Sequence, residues 1–461
     1  MKIRLVRWLD RPDRCYFLVA LSAGLMFLII TPPFQVPDEP SHLYRCYQLS
    51  EGHIFPEKRD GAVGGEIPRA VVDTVQDIVG DPGAGLVKPA RPSIIFSYLD
   101  YHPPKGHRRI FVSFPNSALY SPIPYAPAAA GVSVGRLFGL APLWSLYAGR
   151  LATLLSTVLI CTWAIRITPV FSCGFFLIAT TPMFITLTAS VSADAVTNAL
   201  SILLTALVLK HSFSEGQVGT RDLALLLGLS VALALCKSVY VILSVLFFVI
   251  PRERIGSQRR YAATALSVLL ASFGASFMWI FAVANMFAAH HWGGFSNLSE
   301  PAGFVSNHPL LLAQMVVVSM AKHFLFYVRS GIGYLGWTDT PMPGALIIAY
   351  ALLTVAAALG GGSNIRFSLR QKLVLAAVAI AGTVVVMVSQ FFLWSEPGST
   401  TIQGVQGRYF IPFVALYFLL VHNNRTSSLD AAKKLNRLIP VIVAVLLLFA
   451  GWFAVQGFYS G

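Results

Sequence analysis

Pro37-Asp38-Glu39-Pro40-Ser41-His42-Leu43-Tyr44-Arg45 is an acidic stretch framed by prolines, and it closely follows the first long apolar run of the chain, residues 16–31. Five basic residues precede that run, namely Lys2, Arg4, Arg7, Arg11 and Arg14. Basic residues before an apolar run without a small-residue cleavage site are typical of an uncleaved signal anchor with a cytoplasmic N-terminus. We therefore expect residues 37–45 at the outer edge of a membrane.

The composition agrees with a membrane protein. Of the 461 residues, 56% are hydrophobic and 12% are charged, and the mean hydropathy is +0.67. Soluble domains carry about 25% charged residues, so the chain is predicted to be an all-α polytopic membrane protein. The five cysteines are scattered without a CxxC pair, which argues against a disulfide framework or a structural zinc site.

Apolar runs of roughly 20 residues can cross a hydrocarbon core of about 30 Å. We predict eleven spans, at 16–31, 143–165, 170–190, 195–208, 223–235, 241–250, 262–286, 345–359, 373–393, 409–421 and 441–455. The runs 119–140, which contains three prolines, and 310–326 are expected to lie at the interface, and a full span at 119–140 stays open. The chain then divides into a cytoplasmic N-terminus (1–14), a first transmembrane helix (15–33), an extracytoplasmic loop with juxtamembrane helices (34–142) and a transmembrane bundle with short loops (143–461).

The net charge of +14 does not call for a nucleic acid. In this topology most of the basic residues fall in loops on the cytoplasmic side, including Arg252, Arg254, Arg259, Arg260, Arg366, Arg370 and Lys372. That asymmetry is what the positive-inside rule predicts, and the excess charge would face anionic membrane lipids.

Ionisable residues at the edge of an apolar bundle are costly and mark functional sites. Asp38, His42 and Arg45 are spaced i, i+4 and i+7, so a helix starting near Pro40 would place all three on one face. A carboxylate there can act as a general base or hold a divalent cation. The structural alternative is that Asp38 or Glu39 only caps the helix.

Four stretches together resemble the bacterial membrane-protein family called domain of unknown function 2142. They are residues 37–45, Ser192-Ala193-Asp194, Leu335-Gly336-Trp337-Thr338-Asp339, and Gly404-Val405-Gln406-Gly407-Arg408-Tyr409-Phe410. A long outer loop that opens with an Asp-Glu pair also resembles the GT-C class of polytopic glycosyltransferases. These enzymes take a sugar from a polyprenyl-phosphate carrier.

The GT-C resemblance implies a bundle in the bacterial cytoplasmic (inner) membrane that transfers a sugar from a polyprenyl-phosphate donor to an envelope polysaccharide or lipid acceptor. It implies that Asp38, with Glu39 beside it, is catalytic and that Asp194 is a second acidic residue at the outer end of the third span. The alternative for Asp194 is an N-cap. Whether a divalent cation is required, held by Asp38 and Asp194, is left open.

Such a donor presents a phosphate, for which Arg and Lys are suitable ligands. Lys237 and Arg408 are the candidates, with Tyr409 beside them, although both cations could instead only snorkel to lipid headgroups. Gly404 and Gly407 would let the backbone approach the phosphate. Polar and aromatic residues that could contact substrate, or form an interfacial belt, are His290, His291, Trp292, Trp337, Asp339 and Trp394.

A transporter or flippase for a lipid-linked glycan is the competing function, and a scaffold subunit is a third. A transporter is expected to show charged residues in mid-span and two related halves, and neither was recognised in the sequence. We expect Asp38, Asp194, Lys237 and Arg408 to face one cavity.

Overall fold

The computed structural model describes residues 11–81, 86–87, 90–101, 108–286, 299–360, 365–396, 398–422 and 430–459. In chain order its helices are α1 (Pro12–Ile30), α2 (Glu39–Ser50), α3 (Arg69–Val79), α4 (Pro92–Leu99), α5 (Pro115–Ala118), α6 (Ala126–Leu137), α7 (Pro142–Ile167), α8 (Ser172–Ile178), α9 (Pro182–Thr188), α10 (Ala193–Phe213), α11 (Thr220–Cys236), α12 (Arg252–Ile255), α13 (Gln258–Val283), α14 (Ser299–Asn307), α15 (Pro309–Gly333), α16 (Gly344–Leu359), α17 (Leu369–Trp394), α18 (Ile411–Val421) and α19 (Asp430–Tyr459). Helices of the 3-10 type span Ile123–Tyr125, Ser238–Val249, Ala284–Met286 and Gly407–Phe410.

The strands are short and lie mainly in the predicted outer loop. They are β1 (Glu57–Arg59), β2 (Ala62–Pro68), β3 (Gly80–Asp81), β4 (Leu86–Val87), β5 (Arg109–Ser113), β6 (Tyr334–Leu335) and β7 (Thr340–Pro341). β1, β2 and β5 form an antiparallel sheet in that order, with Gly64 opposite both Glu57 and Ser113. The sheet and helices α2 to α6 share an apolar core with the first turns of α7, including Leu43, Tyr47, Val63, Val71 and Leu143.

Seven of the described helices are long and apolar enough to cross a membrane: α1, α7, α10, α13, α15, α17 and α19. The chain is therefore membrane-embedded, while the finer expectation of eleven spans includes segments that are shorter. Residues 170–190 form two helices, α8 and α9, because Thr181 caps α9 by accepting a hydrogen bond from the Phe184 amide over 3.3 Å, and Pro182 begins the new helix.

The segment Ser238–Val249 is a 3-10 helix of 12 residues, an unusual length for this conformation. A 3-10 helix rises about 2 Å per residue, so these residues extend roughly 24 Å, against about 18 Å for an α-helix. This explains how so short an apolar segment can return from Lys237 to the arginine-rich turn at α12.

Helix α15 differs from the expected interfacial run 310–326, because it continues to Gly333 and reaches 25 residues, enough for a span. Its packing is nevertheless with the last turns of α17 and the following loop. Met315 and Val316 share a core with Phe391 and Ile402, and Ser319 accepts a hydrogen bond from the Ile402 amide over 2.8 Å.

The two faces of the bundle differ in chemistry. One face, which we call the loop face, carries residues 34–142 and the N-terminal ends of α7 and α10. The opposite face carries the basic turns between α10 and α13, where the Val218 amide donates to the Arg254 carbonyl over 2.7 Å and Arg370 donates to the Tyr261 hydroxyl over 2.9 Å.

Candidate active site

A cavity of about 400 Å³ opens at the loop face between α13, α17 and the 34–142 subdomain. Its polar and charged lining side chains include Asp38, His42, Asn116, Tyr120, Asp194, Lys237, Tyr240, Gln390, Arg408 and Tyr409. Apolar and aromatic side chains of α13 and α17 also line it, including Trp279, Ile280, Val283, Val386, Leu393 and Trp394. The volume is within the range of small-molecule sites.

Asp38 precedes the first residue of α2 with a left-handed backbone, φ 62°. It makes no side-chain capping bond to the helix, so the capping alternative does not describe its carboxylate. Instead, Oδ2 accepts a 3.0 Å hydrogen bond from Arg408 Nη2, and Oδ1 lies 3.5 Å from Asn116 Nδ2. A non-glycine residue in this conformation is uncommon, and such residues cluster at functional sites.

Asp194 lies in the first turn of α10 and is not the cap. Ser192 takes that role, because its hydroxyl accepts from the Asp194 amide over 3.2 Å. The Asp194 carboxylate is thereby left to bind Lys237, which lies between α11 and the 3-10 helix, at the tip of the predicted hairpin. A short hydrogen bond joins Lys237 Nζ to Asp194 Oδ1.

Arg408 stands in the 3-10 turn before α18 and joins the two acids. Its Nη2 binds Asp38, and its Nε is 3.7 Å from Asp194 Oδ2. The side chain is only 3% exposed, yet Nη1 has no hydrogen-bond partner among the described residues. Four charges from four distant parts of the chain are therefore neutralised in one cluster at the edge of the cavity.

Aromatic rings surround the two cations. The Lys237 ammonium lies 5.2 Å from the Tyr120 ring centre and 5.6 Å from that of Tyr409, which is also 5.2 Å from the Arg408 guanidinium carbon. These distances are in the range of cation–π contacts. Burial raises the pKa of Tyr120, so this ring presents a neutral hydroxyl.

His42 lines the cavity and its Nδ1 is 2.7 Å from the Tyr125 hydroxyl. Burial lowers the pKa of His42 to about 4, against the opposing effect of Asp38 and Asp194 and with the support of Lys237 and Arg408. The imidazole is therefore neutral near pH 7, and its contact with Tyr125 is a neutral hydrogen bond.

Comparison with known proteins identifies a family for most of the chain. A family model described as predicted membrane protein (DUF2142) matches residues 21–417. The chain belongs to this family. The match includes all four motifs named above and all the charged residues of the cavity. No curated protein and no solved structure matches the chain.

Glu39 of this DUF2142 protein does not face the cavity, in contrast to its expected place beside the catalytic group. Its side chain is fully buried and receives two hydrogen bonds from Arg150, of 2.8 Å from Nε and 2.5 Å from Nη2. The Phe34 amide also donates to Glu39 Oε2 over 2.9 Å. Adjacent residues at a helix start project about 100° apart, which directs Asp38 to the cavity and Glu39 to the bundle.

Arg45 and Asp339 also lie apart from the cavity lining. Arg45 is fully buried and holds the loop backbone, donating from Nη2 to the carbonyls of Ile54 (2.7 Å) and Tyr120 (3.0 Å). Asp339 is exposed in the β6–β7 hairpin, where it accepts from the Thr340 hydroxyl over 3.3 Å. The neighbouring Trp337 donates to the Phe34 carbonyl over 3.3 Å, so this motif supports the turn before Asp38.

The two motif glycines serve packing instead of phosphate approach. A Cβ on Gly407 would lie 1.9 Å from the Tyr327 carbonyl oxygen of α15. Gly404 has a φ of +73°, and a Cβ there would lie 2.6 Å from the side chain of Trp394. His290, His291 and Trp292 lie outside the described residues.

Residues that the sequence reasoning missed fall into two groups. Arg150 had a usable signal, since it is a charged residue within the apolar run 143–165, and it also corrects the statement that no span carries a charge. Tyr120, Gln390 and Trp279 had none, because an aromatic or amide side chain in an apolar run does not reveal which cavity it faces.

The two acids do not fit a divalent cation. Asp38 is paired with Arg408, and Asp194 with Lys237 and Arg408. In the described part of the chain, no group of three or more His, Cys, Asp or Glu side chains could hold a metal. The proposed reaction therefore uses no metal-dependent step.

Proposed function

We propose that this protein is an integral membrane glycosyltransferase that takes a sugar from a polyprenyl-phosphate donor. The acceptor is an envelope polysaccharide or lipid at the outer face of the bacterial inner membrane. One observation carries the proposal: the buried Arg408, which has an N–H donor without a partner among the described residues, lines one cavity together with Lys237, the partly exposed carboxylate of Asp38 and apolar side chains of α13 and α17. A lipid phosphate attached to a sugar needs this combination of groups.

The orientation follows from the charge distribution. The basic turns lie on the face opposite the cavity, and the positive-inside rule assigns that face to the cytoplasm. The cavity then opens to the outside, where lipid-linked sugars are used for envelope synthesis. The N-terminus, before α1, is cytoplasmic in this arrangement.

Asp38 acts as general base in the proposed reaction. Its carboxylate takes the proton of the acceptor hydroxyl while the hydroxyl oxygen attacks the anomeric carbon. The bond from that carbon to the phosphate oxygen breaks, and the electron pair leaves with the phosphate. Arg408 and Lys237 stabilise the departing negative charge. A single displacement inverts the anomeric configuration.

The test is sugar transfer by purified protein in detergent, with a radiolabelled prenyl-phosphate sugar as donor. Loss of a general base lowers turnover by about 10²–10⁴, and we expect this for Asp38→Asn. The exposed Asp339→Asn is the matched control and should retain turnover. Equal turnover of Asp38→Asn and wild type would refute the catalytic assignment, while donor movement across vesicles without transfer would favour the flippase.

A further inference from the structure

Arg408 does not use its full hydrogen-bonding capacity. A guanidinium has five N–H donors. Nη2 contacts Asp38 Oδ2 at 3.0 Å and the Tyr409 hydroxyl at 3.3 Å, while Nε is 3.7 Å from Asp194, too far for a hydrogen bond. In the described part of the chain Nη1 has no partner, although the side chain is buried. Leaving a buried donor unpaired costs free energy, so this side of Arg408 is suited to a ligand oxygen.

The two carboxylates that face Arg408 are held differently. Asp194 has a side-chain exposure of 7% and also binds Lys237. Asp38 is 28% exposed, and its other hydrogen-bonding contact is the 3.5 Å approach of Asn116. Asp38 is therefore the partner that an incoming anion can replace.

We propose that the donor phosphate displaces Asp38 from Arg408, so that donor binding itself releases the catalytic base. In the free protein Arg408 holds the carboxylate of Asp38. A phosphate that occupies both Nη1 and Nη2 makes a two-pronged contact, which is stronger than the single bond it replaces. The exchange substitutes one anion for another at Arg408, and no covalent bond changes.

This inference rests on the proposed function, in which Asp38 is the base, and it predicts a binding order. An acceptor hydroxyl has no free base to meet until the donor has bound. Donor therefore binds first and acceptor second. Without donor, Asp38 stays paired.

The experiment is calorimetric titration of the full chain in detergent with a short-chain prenyl monophosphate. Because the ligand competes with Asp38 in the wild type, both Asp38→Ala and Asp38→Asn should bind at least about tenfold more tightly, equal to about 1.4 kcal/mol. Asp339→Asn removes the same charge from the same face without touching Arg408, and its affinity should match the wild type. Arg408→Gln should bind at least tenfold more weakly.

Unchanged or weaker binding by both folded Asp38 variants would overturn the displacement. Initial rates of the wild type give a second test, since acceptor binding before donor would also overturn it. The two proposals fail separately. Tighter binding by the Asp38 variants without any transfer by the wild type would refute the glycosyltransferase alone. Transfer by the wild type without tighter binding by the variants would refute the displacement alone.

Discussion

Replacement of Arg150 by methionine should be among the most destabilising single changes in the chain. Arg150 and Glu39 are both fully buried, with a side-chain exposure of 0%. Besides its two bonds to Glu39, Arg150 donates to the carbonyls of Thr31 (2.9 Å), Pro32 (3.1 Å) and Leu28 (3.3 Å). One side chain thus joins the end of α1, the proline turn, the start of α2 and the middle of α7.

The magnitude follows from these contacts. Removing one partner of a buried ion pair leaves the other charge unpaired and costs about 3–5 kcal/mol. Carbonyls that lose a buried donor add about 1–3 kcal/mol each unless water reaches them. We expect Arg150→Met to lose at least the first amount. Glu39→Gln keeps the shape and part of the hydrogen bonding, and should cost less.

Thermal unfolding in detergent is the assay, and Arg109→Met is the matched control. Arg109 also pairs with a glutamate, at 2.6 Å from Glu51, but its side chain is 38% exposed. Glu51 is 10% exposed, but it keeps Arg136 as a second partner at 3.0 Å. The change therefore leaves no buried charge unpaired and should cost about 0–1 kcal/mol, as for an exposed pair, so this control should unfold near the wild-type temperature. Similar unfolding temperatures for Arg150→Met and Arg109→Met would refute the reasoning.

The same pair distinguishes the two adjacent carboxylates. Since Glu39 contacts Arg150 and not the cavity, Glu39→Gln should lower stability but keep turnover per folded molecule. Asp38→Asn should do the reverse. A Glu39→Gln variant that is stable and inactive would assign the base to Glu39 instead.

Three further predictions test the environment of the site. Because the folded protein lowers the pKa of His42 to about 4, the unfolded chain takes up the proton first as the pH falls below about 6.5. The stability of the wild type should therefore drop by about 3 kcal/mol between about pH 6.5 and pH 4. Thermal unfolding of His42→Asn should lack that pH-dependent drop. Gly407→Ala places a Cβ within 1.9 Å of the α15 backbone and should lower the unfolding temperature. Gly228→Ala, whose Cβ would meet no atom of the described residues within 4 Å, should leave it unchanged. Thermal unfolding of both variants in the same detergent is the measurement. An impermeant maleimide on intact cells should label Asp100→Cys but not Glu215→Cys, since the proposed topology puts these exposed positions on opposite sides; labelling of both would contradict it.

The convergence of the charged residues could be predicted because it depends only on topology. Asp38, Asp194, Lys237 and Arg408 each lie at the end of an apolar run, and the predicted alternation of spans brings those ends to one face. The distances within the cluster could not be predicted, because they depend on the left-handed backbone of Asp38 and on the Ser192 cap. Helical spacing wrongly grouped Arg45 with Asp38 and His42, since the carbonyls of the folded loop bind its guanidinium instead.

Helix lengths were less predictable than their ends. Apolar content alone does not separate α8 and α9, which a threonine cap divides, from a continuous span. It also does not reveal a 3-10 helix, whose larger rise allows Ser238–Val249 to cover nearly the distance of a longer α-helix. Both irregular segments adjoin the cluster of Asp38, Asp194, Lys237 and Arg408 or the helices that carry these residues. Irregular backbone at membrane depth is tolerated where it is buried in protein or lines a cavity.

Helix α10 lies on the path that a sugar would follow if the protein were a transporter instead of the proposed glycosyltransferase. Helix α10 runs from Asp194 to the basic face, and 89% of its span is buried. Its hydroxyls at Thr197, Ser201 and Thr205 donate to carbonyls three or four residues earlier in the helix. A sugar crossing the bundle along this helix would need polar partners, and the buried side-chain atoms of α10 without a partner among the described residues are Asn198 Nδ2 and His211 Nε2. The buried Arg150–Glu39 pair joins α1, α2 and α7, which agrees with the proposed transfer at a site that opens to one side of the bundle.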